Sequence, residues 1–452
     1  MPRRKAHAPL NVLINNRLCG RIEKEAGGAI VFQYDRSWLD WPPAFPISLS
    51  LPLRPAPWRG DPVVAVFDNL LPDSPRVRRQ VADRTGAGGV DVYSLLEQIG
   101  RDCVGAMQFL PDGQEVDALQ PVEGVVLTDD EIEAMLANLA RAPLGIDTEQ
   151  EFRISIAGAQ EKTALLRHQG SWLRPIEPTP TTHILKPQLG EIAMPWGVID
   201  LNDSVENEHY CLTLLGCFGL PVAKTEIAQF GDRRVLVVER FDRSWRGKDR
   251  LLRLPQEDFC QALSVSSSRK YQNYGGPSVV DLLTKLRESD DPSADQALVL
   301  KAQILFWLIG ATDGHAKNFS LYLRPGGRFQ LTPFYDVLSA QPAFDAKRIP
   351  HGDYRLAMSA GTRPHYKILD LHGRHFVETA RAAGLGPAVV RQVLDEVRTS
   401  AANAAEKSRR RMQADFPDAI HDSIAQAIKA RLPRLDSADD ALQAGATRNA
   451  KT

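Results

Sequence analysis

The chain has 452 residues, 43% hydrophobic and 25% charged, enough apolar material for two or three domains and a sizeable core. A net charge of −1 excludes a body built to coat nucleic acid, so any such contact must come from a local patch. Five scattered cysteines (Cys19, Cys103, Cys211, Cys217, Cys260) without CxxC spacing indicate reduced thiols. The basic start "MPRRKAHAPL" leads into no apolar signal core, and no apolar run approaches the ~20 residues of a membrane span, so a cytoplasmic protein is expected.

"NVLINN", "CGRIEKE" and "AIVFQYD" are three short strands separated by polar or glycine turns, a small β-meander. "FDNLLPDSPRVRRQVADR" is helix material, with Asp73 or Ser74 as cap and Pro75 at the first helical position. "VYSLLEQIGRDCVGAMQFL" reads as helix, glycine break and strand, closing a β-rich first domain over 1–110. Residues 111–150 form an acidic linker with one helix at 129–142. Strands and helices alternate over 151–245, residues 246–435 are mainly helical, and the small polar tail 436–452 is expected to be disordered.

The densest chemistry is in "ATDGHAKNFSLYL", directly after the apolar stretch "QALVLKAQILFWLIG". Asp313 and Asn318 are spaced D-x-x-x-x-N, as in kinase catalytic loops, where the aspartate orients or deprotonates the acceptor hydroxyl and the asparagine binds Mg²⁺. Chance produces that spacing often, so the context decides. "NFSLYL" and "RFQLTPF" flank Pro-Gly-Gly, a hairpin signal. A turn near Pro325–Gly326 sets residue 318 opposite 334 and returns Asp336 beside Asn318, two oxygen ligands suited to a small hard cation.

Upstream, "FRISIAGAQEKTALLR" reads as strand, small-residue loop and strand; Ala157, Gly158 and Ala159 allow backbone amides to approach a phosphate, and Lys162 adds charge. "TTHILKPQ" is a strand carrying Lys186, a cation costly to bury unless paired and placed as the phosphate-gripping lysine of kinases. "DSVENEHYCLTLLGCFGL" is a helix capped by Asp203 or Ser204, with Glu206 or Glu208 as partner for that lysine. "RRVLVVERFDR" is an apolar strand running into Glu239, Arg240 and Phe241, where kinases hold adenine. In chain order these are loop, lysine, acid, hinge, catalytic aspartate, asparagine and metal aspartate.

"RISIAGAQEKTALL", "PTTHILKP", "VERFDR", "LIGATDGHAKNFS" and "LTPFYDVLSA", with the N-terminal "FDNLLPDSP" and "LLEQIGRDCVGA", resemble the HipA family of serine/threonine kinase toxins over residues 8–430. The resemblance implies an α+β, two-lobed protein-kinase-like fold related to lipid kinases, with a small β-rich N-terminal domain and a mainly helical C-terminal lobe. It implies ATP and Mg²⁺ as cofactors, Asp313 as catalytic base, and Asn318 and Asp336 as metal ligands. Nucleotide contacts would come from Ala157, Gly158, Ala159, Gln160, Glu161, Lys162, Lys186, Glu239, Arg240, Phe241, His315, Ala316, Lys317, Asn318, Tyr335 and Asp336. Ser155 matches the serine that the family autophosphorylates. The implied partners are a HipB-like helix-turn-helix antitoxin, operator DNA mainly through that antitoxin, and an aminoacyl-tRNA synthetase substrate such as glutamyl-tRNA synthetase. Lys367 and Arg374, beside His375, form one candidate DNA patch and "EKSRRRM" another. The competing readings are a corepressor acting on operator DNA with its antitoxin, and a lipid or small-molecule kinase.

Overall fold

Alternation of apolar and polar residues at the N-terminus becomes a strand at Leu10–Ile14 that buries Leu10, Val12 and Ile14 on one face. The expected three-strand meander is the centre of a five-stranded sheet ordered Trp58–Arg59, Ile30–Tyr34, Arg17–Lys24, Leu10–Ile14 and Met107–Pro111, antiparallel throughout. Met107–Pro111 joins from far along the chain, a pairing that no local pattern announces. Ser74 caps the Pro75–Thr85 helix by accepting from Val77 N–H, with Pro75 at its first position.

The computed structural model describes residues 7–114, 121–145, 155, 157, 160–194 and 197–449. A six-stranded sheet runs Thr225–Phe230, Arg233–Glu239, His183–Pro187, Thr163–His168, Ser171–Pro175 and Gly124–Val126. Its lysine strand lies antiparallel to both neighbours, with Lys186 opposite Leu236 and Leu185 opposite Thr163. The segment read as a linker therefore contributes an edge strand. Its helix is Asp129–Ala137, opened by a capping box between Thr128 and Glu131 and ending earlier than expected.

Two compact units result, and they are not consecutive in sequence as the sequence reading had them. The first comprises Met1–Pro187, Glu226–Ser268 and Leu321–Phe329; the second comprises Gln188–Thr225, Arg269–Ser320 and Gln330–Thr452. The second unit is built on the Pro292–Ile309 helix, in which all residues from Val299 to Ile309 are buried, as its apolar composition on every face requires. Around it are helices Ser204–Cys217, Gly373–Ala382, Pro387–Arg409 and Asp418–Arg431. The tail expected to be disordered forms a helix at Ser437–Asn449: Ala438 and Leu442, four apart, are buried, and that small stripe is enough to dock it. All five cysteines are free thiols, and no helix among the described residues is long and apolar enough to cross a membrane.

Candidate active site

In the second unit the buried helix ends at Gly310, whose φ of 71° is left-handed and whose added Cβ would lie 1.9 Å from the Tyr354 hydroxyl oxygen. Arg431, itself buried, donates from Nη1 to the carbonyls of Trp307 (3.2 Å) and Leu308 (2.9 Å), a cation on the negative end of the helix dipole. Ser339 Oγ donates to Ile309 O at 2.5 Å, and Ala340 N–H donates to Gly310 O at 2.9 Å. The support under the loop is therefore rigid.

The Asp313 carbonyl accepts from His315 N–H (2.8 Å) and from Asn318 Nδ2 (2.9 Å), which winds residues 313–318 into a tight knot. Gly314 is required there, because a Cβ would lie 2.5 Å from Phe306 Cδ2. The Asp313 side chain remains 59% exposed, open to an acceptor, whereas Ala316, Lys317 and Asn318 are buried. His315 is 3% exposed, and burial holds its imidazole below the ordinary histidine value despite the opposing charges of Asp313 and Asp336, so it is neutral at pH 7. Its Nδ1 is buried and meets no hydrogen-bond partner among the described residues.

The hairpin has the expected register. Thr332 N–H donates to Ser320 O at 2.9 Å, the pairing that sets 318 across from 334. Phe334 then exchanges bonds with Pro221 O and Ala223 N–H, both 2.8 Å. Tyr335 ties this strand to the loop by donating to Lys317 O at 2.9 Å, and its oxygen lies 2.6 Å from Ser320 Oγ. Asp336 follows with φ 58°, a left-handed conformation that aspartate tolerates better than most residues and that is frequent at functional sites.

A divalent cation fits this donor set. Asn318 is oriented through its nitrogen, so its oxygen is the end offered to a metal, and Asp336 adds a carboxylate. Among the described residues no cluster of three His, Cys, Asp or Glu could hold an ion alone. Mg²⁺ itself takes one or two protein oxygens and completes its shell with phosphate and water.

In the first unit, Lys186 and Lys162 are both buried. Gln160 Nε2 donates to Pro187 O at 3.1 Å, tying the end of the small-residue loop to the lysine strand, while Glu161 lies 3.8 Å from Arg76. Ala157 is partly buried; Gly158 and Ala159 lie outside the described residues. Ser155 is fully buried: its N–H donates to Asp102 O at 3.0 Å and its Oγ to Leu70 O at 2.7 Å. Glu206 and Glu208, in the second unit, are buried on the Ser204–Cys217 helix, and Glu206 accepts from Gln188 Nε2 at 2.7 Å. Asp203 stands at the N-cap without a side-chain capping bond.

Arg240 donates its amide to Thr182 O at 2.9 Å, and its guanidinium is enclosed in a buried cluster with Asp102, Asp242, Thr181 and the Cys103 carbonyl. The Arg240 side chain therefore serves this buried cluster. Phe241 O accepts from the Tyr322 hydroxyl at 3.0 Å, and the two rings meet edge-on. Lys367 and Arg374 are exposed, whereas His375 is buried and stacks on His365 at 4.2 Å. In the other basic run Arg409 is paired with Asp418 and packed over Phe416, so it is no free phosphate contact.

No sequence pattern singles out Asp102, Arg243 and Arg253 of the buried cluster, Arg431 under the Pro292–Ile309 helix, or Tyr271, whose hydroxyl donates to Asp313 Oδ1 at 2.6 Å. Only the turn chemistry of "KYQNYGG" gave any local signal near the last.

The comparisons with known proteins define the class as a kinase. The HipA N-terminal domain model matches residues 10–110, and the HipA-like C-terminal domain model matches 154–405. The chain belongs to the HipA family. It is 34% identical over 407 residues to a putative kinase, Y4mE, of Sinorhizobium fredii, covering 87% of this chain and 90% of that one. It is 28% identical over 345 residues to the serine/threonine-protein kinase toxin HipA of Shewanella oneidensis, covering 73% and 75%. The fold is that of HipA in the solved complex of Shewanella oneidensis HipA, HipB and operator DNA, with a TM-score of 0.77, 22% identity, and 95% and 99% of the chains covered.

Proposed function

We propose that this protein is an ATP- and Mg²⁺-dependent serine/threonine-protein kinase acting as the toxin of a cytoplasmic toxin–antitoxin pair, neutralised by a HipB-like helix-turn-helix antitoxin that carries most of the operator contact. The observation that carries the reading is the loop on the buried helix: an exposed Asp313 whose carbonyl is fixed twice, with Asn318 oriented through its nitrogen. The names of the relatives support the kinase and toxin parts, and the substrate class comes from the family resemblance: a protein serine, on an aminoacyl-tRNA synthetase such as glutamyl-tRNA synthetase.

Asp313 accepts or orients the proton of the acceptor hydroxyl at a carboxylate oxygen. Lys162 and Lys186 supply positive charge to phosphate oxygens. Asn318 and Asp336 present the oxygens that would hold Mg²⁺, and such an ion supplies charge neutralisation on the transferring phosphoryl group. His315, neutral and with Nδ1 unengaged, offers a polar atom without repelling the metal. Ser155 is the autophosphorylation position; its hydroxyl must first leave the Leu70 carbonyl, so modification requires that segment to open.

The test is labelled ATP with Mg²⁺ and purified full-length protein. Wild type labels itself at Ser155, chelation of Mg²⁺ abolishes labelling, and Asp313→Asn lowers the rate by about three or more powers of ten while the protein remains folded. Wild-type labelling by Asp313→Asn refutes the assignment.

A further inference from the structure

Tyr271 makes a bond to Asp313 that none of the roles above uses. Its hydroxyl donates to Oδ1 at 2.6 Å, and its ring stands edge-on to His315 with centroids 4.8 Å apart. Its placement is set by its own loop. Gly275 N–H donates to Gln272 O and Gly276 N–H to Tyr271 O, both at 3.0 Å, closing a tight turn. Gly275 has φ 82°, and a Cβ on Gly276 would lie 2.1 Å from Arg269 O, so glycines are required at both places. Gln272 then clasps Ser359 with both ends of its amide: Nε2 donates to Ser359 Oγ at 2.9 Å, and Oε1 accepts Ser359 N–H at 2.8 Å. Tyr271 is thus anchored to the Arg355–Ala360 strand, independently of the carboxylate it meets.

An exposed aspartate samples several rotamers, and a base that must meet one hydroxyl loses rate for every orientation that faces elsewhere. A phenol suits the task of holding it. It gives a short, charge-assisted hydrogen bond to a carboxylate without adding a positive charge that would pair with it, as lysine would. With Oδ1 held by Tyr271, Oδ2 is the other oxygen of this half-exposed carboxylate, 4.0 Å from His315 Nε2.

We propose that Tyr271 is a positioning residue for phosphoryl transfer, fixing the Asp313 carboxylate through Oδ1 so that Oδ2 meets the acceptor hydroxyl. The proposal rests on Asp313 being the acceptor-side base. The experiment uses full-length wild type, Tyr271→Phe and Asp313→Asn, measuring transfer from labelled ATP over a range of ATP concentrations, binding of a non-hydrolysable ATP analogue, and the thermal unfolding midpoint. Phenylalanine keeps the ring against His315 and removes only the hydroxyl. The expected result is a kcat about tenfold lower, the scale of one hydrogen bond to a charged group, with ATP KM, analogue affinity and unfolding midpoint unchanged. A Tyr271→Phe kcat within about twofold of wild type overturns the proposal. So does a loss that comes with a matching rise in ATP KM or a lowered midpoint, because the tyrosine would then act on nucleotide binding or folding. Wild-type transfer by Asp313→Asn, with Tyr271 intact, overturns the underlying reading of Asp313, and the single variants separate the two failures.

Discussion

Replacing Asp102 with alanine removes the carboxylate around which three arginines pack. Its side chain is 5% exposed and accepts from Arg243 Nη2 (2.8 Å), Arg253 Nε (3.1 Å), Arg240 Nη1 (3.2 Å), and from Thr181 through both N–H (3.0 Å) and Oγ1 (2.7 Å). Burial alone would raise the Asp102 carboxyl, but Arg243, Arg240 and Arg253 outweigh it and hold it well below the ordinary carboxylate range. In the variant Arg240 and Arg243 keep Asp242 as their carboxylate partner, while Arg253 is left with backbone carbonyls, all of them out of water. Breaking a buried ion pair by removing one partner costs about 3–5 kcal/mol, and a carboxylate shared by three buried cations places this case at the upper end. That is a large part of a typical folding free energy of about 5–15 kcal/mol. For a unit of this size it corresponds to a fall in unfolding midpoint of roughly 8–20 °C, read by circular dichroism. The sign with pH follows from the depressed carboxyl: its contribution is present above the unfolded value of about 3.9 and is lost as pH falls further, so the gap between wild type and variant narrows in acid. An Asp102→Ala protein within about 1 kcal/mol of wild type at neutral pH would refute the reasoning, because the cluster would then be no more than solvated charge.

Gly314→Ala drives a Cβ into the Phe306 ring, so the catalytic knot must shift. The expected outcome is a kcat about a hundredfold lower with ATP-analogue binding retained and a stability loss of about 1–3 kcal/mol, measured by transfer kinetics and denaturant unfolding. The buried histidines set an acid limit. Burial pushes His183 and His375 down to about 4, and His315 in the same direction, so below about 6.5 the unfolded chain takes up protons that the folded chain refuses. Stability is full above that pH and falls as pH drops towards 4; a midpoint that stays flat from pH 7 to 5 would contradict this.

Much of the site was legible because its logic is local. Asp313 and Asn318 lie within one loop, and hairpin arithmetic from Pro325–Gly326 gives the strand register without knowledge of the rest of the fold. The Thr332–Ser320 bond confirms that register. Lys186 stood out because a lysine in an apolar strand needs a reason, and it is buried in that strand. The strand before the expected hinge was legible as Arg233–Glu239, whereas the Arg240 side chain meets Asp102, a partner 138 positions away that no local pattern announces.

The sequence by itself determined the order of the chemistry and the short-range geometry, since spacing, turn residues and strand period act over a few residues. It also determined the family. Only the tertiary structure decided that Asp102 gathers three arginines, that Ser155 is buried with its hydroxyl on the Leu70 carbonyl, that Arg431 braces the end of the Pro292–Ile309 helix and that Tyr271 reaches Asp313. Each depends on segments far apart in sequence and brought together by burial of the core, where the price of an unpaired polar group, rather than any local pattern, selects the partner.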